Sequence, residues 1–165
     1  MKKFLSVLLS IALLATFAFF AVASGESSDA DTTQPAGAAS DSGNDDTLGQ
    51  YKVEIKDARL TKDYENKPAV VITYGFTNNA DEAAAFEWTF EDVVYQGGVG
   101  LERAYFLVDG DPYNEANMSK EIKKGVTLDV EIAYVLNDTT TDIEVEVSEL
   151  ISFSDATVSR VFSIK

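Results

Sequence analysis

The sequence predicts an all-β protein, built as a two-layer antiparallel sandwich. Three observations carry that prediction: apolar and polar residues alternate in run after run beyond residue 50, turn residues punctuate those runs, and a content of 45% hydrophobic and 11% aromatic residues supplies a core. The chain has 165 residues, a length for one domain with an appendage.

Residues 1–23 are read as a signal peptide. A charged start, Met1-Lys2-Lys3, precedes the apolar stretch Phe4 to Phe20, and the small-residue run Ala21-Val22-Ala23 offers a cleavage site. The competing reading is an uncleaved anchor, because the apolar run reaches the lower end of the ~17–25 residues that span a bilayer. Val22-Ala23-Ser24 resembles the end of a bacterial lipoprotein box, yet Gly25 stands where the lipidated Cys belongs. Residues 24–49 are rich in Ser, Gly and acids, without a Lys or Arg and with Leu48 as their one large aliphatic. Such a segment buries too little to offset its chain entropy and is expected to be a disordered linker.

Residues 50–165 form the expected folded domain. Tyr51, Val53 and Ile55 alternate with Lys52, Glu54 and Lys56, and Val70, Ile72, Tyr74 and Phe76 make a second inward row ended by Asn78-Asn79. Between Ala83 and Tyr95 the pattern fits strand and helix about equally; the reading adopted is a strand through Phe90 followed by a turn or short helical piece, with Trp88 plugging the core. Gly100 to Val108 reads as a further strand, and Asp109-Gly110-Asp111-Pro112 as a turn. Val126, Leu128, Val130, Ile132, Tyr134 and Leu136 are six positions in step, followed by Ile143, Val145 and Val147, then Phe162 and Ile164. Seven to eight strands in such a length suggest an immunoglobulin-like sandwich. One face of each sheet should be apolar and the other wet.

The run Tyr51-Lys52-Val53-Glu54-Ile55, the segment Lys67 to Tyr74 with Phe76-Thr77-Asn78-Asn79, and Lys120-Glu121-Ile122-Lys123-Lys124-Gly125 ahead of a long strand resemble a Gram-positive extracellular domain family of unknown function. The resemblance implies an immunoglobulin-like sandwich on an exported protein or lipoprotein. Its motifs are strand patterns and turns, and they bring no chemistry with them.

Composition narrows the chemistry. With no Cys and no His there is no disulfide, thiol nucleophile or imidazole base, and a formal charge of −15 argues against nucleic acid as a partner. Asp109 and Asp111, beside Asn114 and Glu115, gather the hard oxygen ligands that calcium prefers, without the spacing of an EF-hand. They are the candidate metal ligands, for a weak calcium site or else a solvated turn; no other cofactor is expected. Hydrolysis would need two opposed carboxylates or a Ser activated by Lys, and the sequence offers no way to pick a pair: Glu87 and Glu91 could share one side of a helix and Glu144 and Glu146 one side of a strand, with a charged solvent face as the plainer reading. Tyr64, Tyr95 and Tyr113 lie near turns and are the candidate exposed contact set.

The expected function is therefore an exported, non-enzymatic binding or accessory domain. It would be secreted or associated with the cell wall, without a stable membrane anchor after cleavage, and would meet a protein or cell-envelope ligand. The alternatives are a carboxylate-based extracellular hydrolase and a purely structural surface spacer.

Overall fold

The computed structural model describes residues 46–105, 107 and 113–164, which form two packed four-stranded antiparallel sheets. The elements are β1 (Thr47–Leu48), β2 (Tyr51–Lys62), β3 (Pro68–Asn78), α1 (Phe86–Thr89), β4 (Phe90–Gln96), β5 (Val99–Gly100), a 3-10 turn (Glu115–Asn117), β6 (Thr127–Val135), β7 (Ile143–Glu149) and β8 (Thr157–Phe162). One sheet runs β1-β2-β3-β6 and the other β5-β4-β7-β8. From β2 onward this is the immunoglobulin arrangement, first, second and fifth strands against a sheet centred on the third and sixth.

The inward rows are those the alternation marks. Val53 and Ile55, then Val70, Ile72, Tyr74 and Phe76, then Val130, Ile132, Tyr134 and Leu136 are buried from the first sheet, and Ile143, Val145 and Val147 from the second. Val126, the first of the expected six inward positions of β6, is exposed because the strand begins only after the Gly125 turn. Gly97 and Gly98 both have positive φ, which fits the two-residue turn between β4 and β5.

Four expectations need correction. Leu48, assigned to the linker, is 2% exposed in a strand paired with β2, so order begins before residue 50. The segment 83–95 is helix first and strand second: Phe86 and Phe90 are one helical turn apart and both buried, which turns Trp88 outward, 72% exposed. The described residues between Gly100 and Val108 do not form one strand. Leu101 N–H still donates to Val94 of β4 at 2.8 Å, but Arg103 already bridges Tyr134 of β6, with Ala104 N–H on Ala133 O at 2.8 Å, so the chain changes sheets there.

That crossing undoes the fourth expectation, a wet outer face. Ala69, Val71, Ala104 and Ala133 form a second buried cluster with Leu107, Tyr113 and Val135 packed on it, so β3 is covered on both sides.

The sheets are also stapled at the opposite seam. A bulge at Ile55/Asp57 interrupts β2, and Arg160 of β8 donates to its carbonyls, Ile55 O at 2.6 Å and Lys56 O at 3.1 Å. Lys56 crosses above Gly75 to reach Asp129 at 2.6 Å; a Cβ on Gly75 would lie 2.5 Å from the lysine Cε, so the absent side chain makes room for the crossing.

Candidate functional site

Two places in the described residues depart from an ordinary apolar sandwich. The first is inside it. On β4 the inward residues are Phe90, Asp92, Val94 and Gln96, so a carboxylate and an amide stand where period two demands core. The Asp92 side chain is 1% exposed. Its Oδ1 accepts from Arg103 Nη2 at 2.6 Å, and its Oδ2 accepts from the hydroxyls of Tyr74, at 3.3 Å, and Tyr134. The change of sheets at Leu101–Ala104 brings Arg103 to the seam where β4 and β6 meet; its second nitrogen, Nη1, lies 3.4 Å from Met118 Sδ.

Electrostatics follow from that geometry. Burial, reinforced by the neighbouring Asp92 charge, holds both phenols well above the ordinary tyrosine value. Burial, the largest single effect on Arg103, would lower it, but Asp92 and Tyr134 together outweigh it and the guanidinium is held more firmly charged. A carboxylate committed to three protein donors is a structural tie and not a base awaiting a substrate proton. Tyr74 and Tyr134 turn their hydroxyls inward, onto Asp92.

The other buried polar side chains also serve loops. Gln96 donates to Asp138 O and Thr141 O and accepts from the backbone N–H of Asn137 and Asp138, holding the β6–β7 loop. Asn78 donates to Glu82 O and Ile122 O and accepts from Ala80 N–H. Asp63 accepts from the backbone of Glu65 and Lys67, closing the β2–β3 hairpin. No buried side-chain polar atom among the described residues lacks a partner. The inward polar groups are thereby accounted for as fold-forming.

The second departure is on the surface. Trp88 on α1 and Leu150, Ile151 and Phe153 of the β7–β8 loop are exposed, Ile151 to 88% and Phe153 fully. Leu150 N–H donates to Thr89 O at 2.9 Å and Glu149 pairs with Phe90, so helix and loop share one end of the second sheet. The β1–β2 turn reaches the same end, since a Cβ on Gly49 would collide with the Glu149 carboxylate. Protruding aromatic and branched side chains held on loops are the usual material of a recognition surface.

The residues singled out from sequence fall elsewhere. Asp109 and Asp111 lie outside the described residues, as do the leader 1–23 and the linker up to residue 45. Tyr64 is exposed beside the β2–β3 hairpin, and Tyr95 is half-buried on the outer face of the second sheet. Tyr113 lies against the outer cluster of the first sheet, where its hydroxyl accepts from Ala133 N–H at 3.3 Å. Burial, with Glu115 nearby, pushes its phenol up to about 12. The three tyrosines thus do not make one contact surface. Glu87 is on α1 and Glu91 on β4, so they are not successive turns of one helix, while Glu91, Glu144 and Glu146 project from the outer face of the second sheet.

Asp92 and Gln96 escape a reading of the sequence because acids and amides on a strand ordinarily face water. The signal was present: each sits two residues from Val94, in step with Phe90. Such a reading also passes over Leu150-Ile151-Ser152-Phe153, an apolar run inside a turn-rich stretch.

Comparison with known proteins agrees with the architecture. The family model described as "Domain of unknown function (DUF5067)" matches residues 26–149. Among solved structures, a protein titled a "putative lipoprotein" from Staphylococcus aureus subsp. aureus NCTC 8325 is similar at 18% identity and a TM-score of 0.53, over 70% of this chain and 84% of that one. At that identity the likeness is one of fold. No curated protein matches the chain.

Proposed function

Because the chain belongs to the DUF5067 family, a domain of unknown function, we propose from its own geometry that it is an extracytoplasmic, non-enzymatic binding or accessory module. The observation that carries this is the exposed end formed by Trp88, Leu150, Ile151 and Phe153, set on a sandwich whose buried polar groups are spent on the fold. A monomeric domain gains nothing by holding such side chains in water, whereas a docking surface does. The charged start, apolar run and Ala21-Val22-Ala23 support export, and a chain without Cys has no thiol to carry a diacylglyceryl group, which supports a released or wall-associated form. No helix among the described residues is long and apolar enough to cross a membrane.

Retention of the exported protein on its own cell-envelope fraction tests the reading. Saturable retention that the triple variant Trp88→Ser, Ile151→Ser, Phe153→Ser abolishes is the expected result. Retention that the variant leaves untouched, or none at all, removes this end as the binding surface.

A further inference from the structure

The partner's chemistry can be read from what surrounds the exposed end, on the premise that this end binds. We propose that the α1 and β7–β8 end docks a cationic, amphipathic polypeptide surface, one that presents apolar side chains together with Lys or Arg. The apolar half of the match is supplied by Leu150, Ile151 and Phe153, which protrude and can enter a groove. The cationic half rests on charge. Glu87 lies beside Trp88, Glu149 is at the end of β7, and Asp155 follows Phe153 in the loop, while neither 82–96 nor 142–159 contains a Lys or Arg. The ion pairs Lys52–Asp46, Lys56–Asp129, Lys67–Glu65, Arg103–Asp92 and Lys124–Asp81 engage none of these acids. Segment 118–124 runs beside α1, with Glu87 N–H on Met118 O, and brings Lys120, Lys123 and Lys124, of which Lys124 is paired with Asp81 and Lys120 is held by Asn117. The acids of 82–96 and 142–159 outnumber them, so the apolar end keeps a net negative field, which a cationic partner relieves. Trp88 adds an exposed indole face, the best aromatic acceptor for an ammonium or guanidinium.

The same field disfavours other occupants. A second copy would bring an identical acidic rim against this one. An anionic bilayer repels a chain of formal charge −15, and a nucleic acid does so more strongly.

Trp88 is the one tryptophan in the chain, so its fluorescence reports on this end directly. The exported protein is titrated with a basic amphipathic peptide of Lys and Leu, with its Glu/Leu counterpart, and with vesicles of phosphatidylglycerol or phosphatidylcholine. Expected is a saturating blue shift with the Lys/Leu peptide alone, weakening several-fold as salt rises from ~0.1 to ~0.5 M. The double variant Ile151→Ser, Phe153→Ser keeps the reporter and alters side chains that stand in solvent; it should weaken binding at least ~10-fold, with circular dichroism unchanged.

An equal response to the Glu/Leu peptide, a shift on vesicles without one on peptide, or a shift with protein concentration alone would each overturn the proposal. Unchanged affinity in the double variant would do the same, because the peptide would then be reading general acidity. Failure here with variant-sensitive envelope retention intact means that the partner chemistry is wrong while the binding module stands. Failure of both removes both.

Discussion

Replacing Asp92 with Ala takes away the acceptor shared by Tyr74, Tyr134 and Arg103. Each phenol left without a partner in the core costs about 1–3 kcal/mol. Arg103 is 36% exposed and can turn to water, so its share is discounted. The total, about 3–5 kcal/mol, is what breaking a buried ion pair usually costs and a large part of the roughly 5–15 kcal/mol that holds a domain together. Urea denaturation followed by far-ultraviolet circular dichroism measures it; tryptophan emission would serve poorly, since Trp88 is already in water. The diagnostic companion is Asp92→Leu combined with Tyr74→Phe and Tyr134→Phe, which removes donors and acceptor together and should recover most of the loss. A cost below about 1 kcal/mol for Asp92→Ala, or a triple variant worse than the sum of its parts, would refute the assignment of this network as a structural tie.

The same tyrosines bear on alkaline stability. Both phenols are raised in the folded state, so their contribution is complete below the unfolded value of about 10 and is lost as pH climbs beyond it; ultraviolet tyrosinate absorbance should appear together with unfolding, not before it. Asp138 behaves in the opposite sense. Backbone donors from Thr140 and Thr141 lower its carboxyl from 3.8 to about 2, so the order of the β6–β7 loop should persist at neutral pH and fade as pH falls through that range, followed by carboxyl-carbon resonances. Trp88→Ala should change stability by less than about 1 kcal/mol in chemical denaturation, because the residue is mostly exposed. Arg160→Ala strands the bulge carbonyls of Ile55 and Lys56 and should cost about 1–3 kcal/mol, with hydrogen exchange rising first along β2 and β8.

The legible part of the fold was the part governed by local periodicity. Rows such as Val70-Ile72-Tyr74-Phe76 and Ile143-Val145-Val147 announce themselves because the inward face of a strand recurs every second residue. What alternation cannot encode is a partner distant in sequence. Nothing near Arg103 says that the chain changes sheets there, and nothing near Val71 or Ala133 says that Leu107 and Tyr113 will cover them. Phe86, Trp88 and Phe90 fit a strand while Ala83, Phe86, Phe90 and Val94 fit a helix, so only the packing of the two phenylalanines decides, and it decides against the tryptophan. The candidate site was hidden for the same reason. Its residues come from α1 and from a loop some sixty positions later, brought together by the pairing of β4 with β7.

The interruptions along β2, β4 and β6 also bear on how this domain can meet other chains. An open strand edge is a template for backbone pairing and so for uncontrolled polymerisation. Here β2, the longest strand, is broken midway by its bulge, and Arg160 occupies the carbonyls exposed there. The outer edge of β4 is occupied by β5 and then by Leu101, and the C-terminal end of β6, at Ala133 to Val135, by the bridge at Arg103. An incoming strand therefore meets an interruption along each of these edges. Association there must select for side-chain shape and charge, which discriminate between partners far better than a peptide backbone common to every protein.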